Sequence, residues 1–228
     1  MQTHESIRTD LIEETYEVCE GIDKNSPEML REELGDLLLQ IVFHAQIERD
    51  NGTFDFDDVC NVICQNLVYR HPHVFGEVKV KDSEDVLRNW NDIKQKTKGQ
   101  ETYTETLRSV CGALPALMRA QKIGKRAERA GMDFPDAEAA LKSLESEIEE
   151  VKAASAENEA EELGDMLFAA VNVVRKKGYD AEELLTRAAD KFVDRFEKTE
   201  NMVRCEGKDM RSLDIDTLDA YWQKAKNQ

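Results

Sequence analysis

The stretch Glu33-Leu34-Gly35-Asp36-Leu37-Leu38-Leu39 is answered later by Glu162-Leu163-Gly164-Asp165-Met166-Leu167-Phe168, and these two copies decide how the chain folds. In each, a Glu and an Asp three apart lead into an apolar run. On an α-helix that spacing puts both carboxylates on one face. A second carboxylate pair stands upstream of each copy, Glu14 and Glu17 before the first, Glu147 and Glu150 before the second. Gly35 and Gly164 sit inside strong helical patterns, where each costs roughly 1 kcal/mol relative to Ala. The repeated cost predicts a close approach at both glycines.

Helical periodicity extends on either side. Leu11, Ile12, Tyr16 and Val18 form an amphipathic pattern that predicts a first helix capped by Thr9 or Asp10 and ending near Gly21. Ser26-Pro27 opens the second, with Leu30, Leu34, Leu37, Leu38, Ile41, Val42 and Ala45 apolar on several sides, and Asn51-Gly52 closes it. Asp55 to Tyr69 reads as a third helix with Val59, Val62, Ile63 and Leu67 inward, stopped at Pro72. Ser83 to Lys96, with Val86, Leu87, Trp90 and Ile93, gives a shorter one, and polar Lys98 to Thr106 reads as a linker. Beyond it come Leu114 to Ala130, Ala139 to Ala154, Glu157 to Lys177, Ala181 to Met202 and Thr217 to Lys226. Strand-length alternation is nearly absent, so the fold class is all-α. The duplication predicts two helical-bundle domains, 1–98 and 99–228.

With 31 basic and 48 acidic residues the net charge is −17, which repels phosphate and anionic lipid. Nucleic acid and membrane are therefore not expected as partners, and a nucleotide must be met by metal or by a local basic patch. No apolar run reaches the roughly 20 residues of a membrane helix. The five cysteines are odd in number and lack CxxC spacing, as expected of idle or buried thiols in a reducing cytoplasm.

If the first two helices of each copy pack antiparallel, the carboxylate pairs face each other. Two unit charges 4 Å apart repel by roughly 4 kcal/mol at an effective dielectric of 20, so the cluster needs cations or protons. Ligation by oxygen alone selects a hard ion, and Mg²⁺ commonly combines carboxylates with substrate phosphates. Such an ion polarises a phosphoryl oxygen and acidifies bound water. Lys191 and Arg195, one turn apart, suit the remaining phosphate charge. The first copy has Asn66 and Arg70 in the corresponding places, and Glu13 is answered by Ser146. The competing reading of any single Glu pair is a solvated helix face. His71 and His73 read as a cap and surface turn, Trp90, Phe134 and Trp222 as core, and the basic helix from Arg119 to Arg129 as a solvated face or a source of intersubunit salt bridges in preference to substrate contact. No GxGxxG or GxxxxGK[ST] loop is present, and no Ser or Cys has an obvious paired His.

The set Glu13, Glu14 and Glu17, then Glu33 and Asp36, with Arg70-His71-Pro72-His73-Val74-Phe75-Gly76 and the run Leu114 to Ile123, resembles the tandem-domain MazG nucleoside triphosphate pyrophosphohydrolases over essentially the whole chain. The resemblance implies an all-α, Mg²⁺-dependent homodimer, with Mn²⁺ as a substitute ion. Its members cleave nucleoside triphosphates to monophosphate and pyrophosphate, clearing nonstandard nucleotides or lowering regulatory ones. It implies metal ligation by Glu147, Glu150, Glu162 and Asp165, with Glu14, Glu17, Glu33 and Asp36 matching the same motif in the first domain. Lys191, Arg195, Trp222 and Lys226 match the substrate-binding positions. Asn66 stands where the family has Lys, which makes the second domain the principal catalyst. In-line attack by metal-activated water is expected, with Glu150 and Asp165 nearest that water and the base assigned to neither. The family usually begins about two dozen residues earlier, so a late start or a trimmed chain is expected, with the first pocket incomplete. The alternatives are a noncatalytic helical nucleotide-binding or interaction module, and a narrower all-α hydrolase of dUTP or phosphoribosyl-ATP.

Overall fold

The structure is a computed structural model that describes residues 2–76, 78, 81, 82, 85, 86, 89, 90, 93, 97 and 99–226. It divides into two compact units, Met1–Lys98 and Gly99–Gln228. The described residues are helical wherever they are regular, with no strand among them.

In the first unit α1 (His4–Asp23) and α2 (Pro27–Asn51) form a hairpin. Its antiparallel sense follows from its pairs: His4 at one end meets His44 and Glu48, while Glu14 near the middle faces Glu33. Asn25 makes the turn at φ 48, left-handed geometry that Asn tolerates better than most residues. Gly21 lets the two helices close beside it, since a Cβ there would lie 3.0 Å from the Leu30 backbone nitrogen. The first helix starts earlier than the Thr9 or Asp10 cap expected from hydrophobic spacing. Thr3 is the cap, in a reciprocal box with Ser6 whose polar residues carry no apolar period. Ser26 caps α2 as expected, and Gly52 ends it at φ 76. Asp55 caps α3 (Phe56–Arg70), which stops before Pro72 as expected, and Pro72 itself opens one further turn, α4 (Pro72–Phe75).

The expected inward faces of α2 and α3 are largely uncovered. Leu34, Leu38, Ile41 and Val42 are exposed, and so are Val62, Ile63 and Leu67, while Ile7 and Ala45 are buried. Among the described residues of this unit, the hairpin with α3 and α4 covers only part of an apolar surface that extends over several sides. Of the Ser83 to Lys96 helix, Val86, Trp90 and Ile93 are helical; its ends and Leu87 lie outside the described residues. Trp90 is half-buried, with the Arg70 guanidinium 5.8 Å from its ring centroid.

The second unit runs α5 (Tyr103–Arg108), α6 (Ala116–Arg129), α7 (Ala137–Ala153), α8 (Glu159–Lys176), α9 (Ala181–Cys205), a 3₁₀ turn (Met210–Ser212) and α10 (Ile215–Lys226). Part of the expected linker is thus helical: Thr102 caps α5 in a box with Glu105. The α7–α8 hairpin repeats α1–α2, and α6 packs across α8 and α9. Polar side chains fasten α6 in place. Buried Gln121 donates to the Tyr179 carbonyl at 3.1 Å and accepts from the Ala181 N–H at 2.8 Å, and Glu182 accepts the Met118 N–H at 3.2 Å. The basic residues of α6 are not all solvated, since Arg126 donates to Ser109 Oγ at 2.7 Å and to the Thr106 carbonyl. Phe192 stands 5.0 Å from Trp222, joining α9 to α10.

Candidate metal centre

Each hairpin brings its carboxylates together. Glu14, Glu17 and Glu33 each place one oxygen within 4.8 Å of the others, and Glu147, Glu150 and Glu162 do the same in the second unit. Asp36 and Asp165 stand outside these tight groups but close enough to act on them, because Asp36 raises the pKa of Glu14 and Glu33, and Asp165 that of Glu147. Partial burial is the largest cause of all three upward shifts, and the neighbouring carboxylates follow. Among the described residues no basic side chain offsets these shifts in Glu14, Glu33 or Glu147.

Among the described residues no atom makes the close approach expected at Gly35 and Gly164, for a Cβ at either would have nothing within 4 Å. The tight glycine of the second unit is Gly124 on α6, where a Cβ would fall 2.8 Å from Arg175 Nε and 2.9 Å from Asn172 Oδ1. Those two side chains belong to a buried polar group that hydrophobic periodicity gave no reason to single out. The Arg175 side chain is 4% exposed. It donates to both Asp133 oxygens, to Glu128 at 3.2 Å and to Asn172 Oδ1, while Lys176 donates to Asp133 at 2.9 Å. These bonds, from Arg175 above all, hold the Asp133 carboxyl down at about 2. Arg175 was legible only as a cation ending an apolar run, and Asp133 only as part of a turn.

Beside this group lies a cavity of about 400 Å³ whose walls include Phe134, Phe168, Asn172, Arg175, Glu147 and Asp165. Phe134, expected as core, is half-buried in that wall. The cavity therefore joins an apolar recess to the acidic cluster, within the size range of small-molecule sites.

Two uncharged donors reach the second cluster. Ser146 Oγ donates to Glu150 at 3.3 Å and Asn158 Nδ2 donates to Glu162 at 3.0 Å. Lys191 is exposed and Arg195 half-buried on α9; Trp222 is half-buried and Lys226 exposed on α10. Among the described residues none of these four bonds to the acidic cluster. His71 caps α3 through the Leu67 carbonyl at 2.7 Å, as its surface-turn reading predicts. All five cysteines are free; four are exposed and Cys60 is half-buried, so of the idle-or-buried reading the burial is not seen. No helix among the described residues is long and apolar enough to cross a membrane.

A family model for the MazG nucleotide pyrophosphohydrolase domain matches residues 2–75. The nucleoside triphosphate pyrophosphohydrolase/pyrophosphatase MazG of Thermotoga maritima is 42% identical over 226 residues, 99% of this chain and 87% of that protein. The nucleoside triphosphate pyrophosphohydrolase of Escherichia coli K12 is 40% identical over 233 residues, 100% of this chain and 89% of that protein. The uncharacterized protein YabN of Bacillus subtilis is 41% identical over 230 residues, 99% of this chain and 47% of that protein. With identity of this level along its whole length, the chain belongs to the MazG nucleotide pyrophosphohydrolase family.

Proposed function

We propose that this protein hydrolyses nucleoside triphosphates to monophosphate and pyrophosphate, with Mg²⁺ as its ion and Mn²⁺ as a substitute, in the cytoplasm. The observation that carries the reading is the meeting of Glu147, Glu150 and Glu162 oxygens within 4.8 Å beside a cavity of about 400 Å³. The donor set fits such an ion: all oxygen, with the negative charge of three carboxylates concentrated within 4.8 Å. When bound, Mg²⁺ neutralises phosphate charge and acidifies water near neutral pH.

The chain's own residues divide the remaining work. Glu147, Glu150, Glu162 and Asp165 would hold the ion, and Glu150 and Asp165 are the ligands we assign to the side of the attacking water. Phe134 and Phe168 give the nucleoside an apolar wall. Lys191 and Arg195 take the outer phosphates, and Trp222 and Lys226 complete the substrate site from α10. One water is consumed per triphosphate, and the bond between the α- and β-phosphates breaks. We read the two units as tandem MazG-like domains in a homodimer. The first unit, with Glu14, Glu17, Glu33 and Asp36, is then a metal site with Asn66 in the slot of Lys191. The family model matches within the first unit, so the weight placed on the second rests on Lys191 and on the cavity beside its cluster.

The test is incubation with a panel of nucleoside triphosphates and Mg²⁺, with product identification. Pyrophosphate and monophosphate from several substrates are expected. Turnover of dUTP or phosphoribosyl-ATP alone would replace this reading with the narrower hydrolase, and no turnover would leave a binding module.

A further inference from the structure

Asn158 occupies the N-cap position of α8, where Asn ordinarily accepts a hydrogen bond from an exposed amide of the first turn. Here its side chain makes no such bond. Its Oδ1 instead accepts from the Ser155 N–H at 2.8 Å and from Ser155 Oγ at 2.8 Å. A backbone N–H can only donate, so the orientation of the amide is fixed. Its NH₂ is thereby turned to the Glu162 carboxylate, 3.0 Å away. A strong capping residue has been diverted from its helix to a member of the acidic cluster.

The first unit offers the comparison. Ser26 stands as far before Glu33 as Ser155 does before Glu162, and it caps α2 in the ordinary way through the Met29 N–H at 3.3 Å. Met29 is the counterpart of Asn158, and a thioether has no hydrogen to give. Among the described residues no side chain donates to Glu33.

We propose that Asn158 is a positioning residue for Glu162, holding that carboxylate in the cluster against the repulsion of Glu147 and Glu150 so that the cation site of the second unit is preorganised. The proposal rests on reading the cluster as a cation site. A neutral donor serves this purpose where a cation would not: it restrains one oxygen, leaves the other for the ion, and does not compete for the negative charge. Hydrogen bonds to metal-binding carboxylates from the surrounding shell are worth about 10- to 100-fold in metal affinity. Since Asn158 and Glu162 are only half-buried, the low end applies.

The experiment reads Mn²⁺ binding by calorimetry without nucleotide, in the full chain carrying Glu17→Ala so that the second cluster dominates. Adding Asn158→Ala is expected to weaken Mn²⁺ binding about tenfold, and Asn158→Met, the residue of the first unit, to do the same. Both variants also lose the two Ser155 bonds, so a lower thermal midpoint in metal-free buffer is expected on either reading and the Mn²⁺ dissociation constant decides. If Asn158 merely anchors the loop to Ser155, the midpoint falls while the Mn²⁺ dissociation constant stays the same, and the proposal is overturned. Failure of the unaltered chain to hydrolyse any triphosphate would remove the proposed activity and leave this Mn²⁺ comparison standing. No Mn²⁺ binding at millimolar concentration would overturn both.

Discussion

Asp133 and Arg175 show how one charge pair ties the fold to the site. Arg175 is nearly sealed from water, Asp133 is 12% exposed, and the bonds between them hold the wall of the cavity beside Glu147 and Asp165. Removing one partner of a buried ion pair leaves the other charge stranded. Asp133→Ala is therefore expected to cost about 3 kcal/mol in urea unfolding, the neighbouring Glu128 limiting the loss. The pair also sets an acid limb. Because the Asp133 pKa falls from 3.8 to about 2 on folding, its stabilisation is fully present above pH 4 and is lost as pH drops towards 2. The amount at stake is about 2 kcal/mol. Asp133→Asn should flatten that part of the stability profile, and an unchanged slope between pH 4 and pH 2 would refute the assignment.

At the scale of the element, the two hairpins follow the same plan with different details. Folding raises the pKa of Glu14, Glu33 and Glu147, so it favours their protonated forms. The sign is the reverse of Asp133: this contribution is present below the ordinary carboxylate value and is lost as pH rises through the raised one. Metal-free protein should lose stability over that range, and Mg²⁺ should restore it by binding the ionised cluster. The increase in thermal midpoint on adding Mg²⁺ is expected to be larger at pH 8 than at pH 5. Glu147→Gln should raise the metal-free midpoint while reducing the Mg²⁺ increment. The hairpins should also differ in activity: Glu150→Ala is expected to abolish most hydrolysis and Glu17→Ala to spare much of it, and equal losses would reject the asymmetry. Sequence spacing was sufficient for the hairpins because Glu33 with Asp36 and Glu162 with Asp165 each mark a helix face, and Ser26 and Gly52 mark helix ends. It was insufficient for Thr3, Thr102 and Asn158, whose effects depend on where a short polar side chain turns. Pairing of Asp133 with Arg175 spans α8 and the turn after α6, a contact that no local period encodes.

Across the whole molecule the unexplained quantity is apolar surface. In the first unit Leu34, Leu38, Ile41 and Val42 on α2, and Val62, Ile63, Leu67 and Val68 on α3, are all between 39% and 56% exposed. Side chains of this size scattered singly would need no account, but two helix faces built from them are what an interface supplies. Periodicity placed the α2 residues and, on α3, Val62, Ile63 and Leu67 towards a core because it tells which face is apolar, not which chain covers it. In the proposed homodimer a second copy covers them, and a two-fold interface would need the same patch on both partners. Ile63→Glu with Leu67→Glu would put four carboxylates into such a contact, two from each copy. The unaltered chain is expected to run at twice its monomer mass in light scattering at micromolar concentration, and the double variant to shift towards the monomer with its helical circular dichroism retained. A monomeric unaltered chain would refute the homodimer. Dimer retention by the double variant would place the contact away from this part of α3.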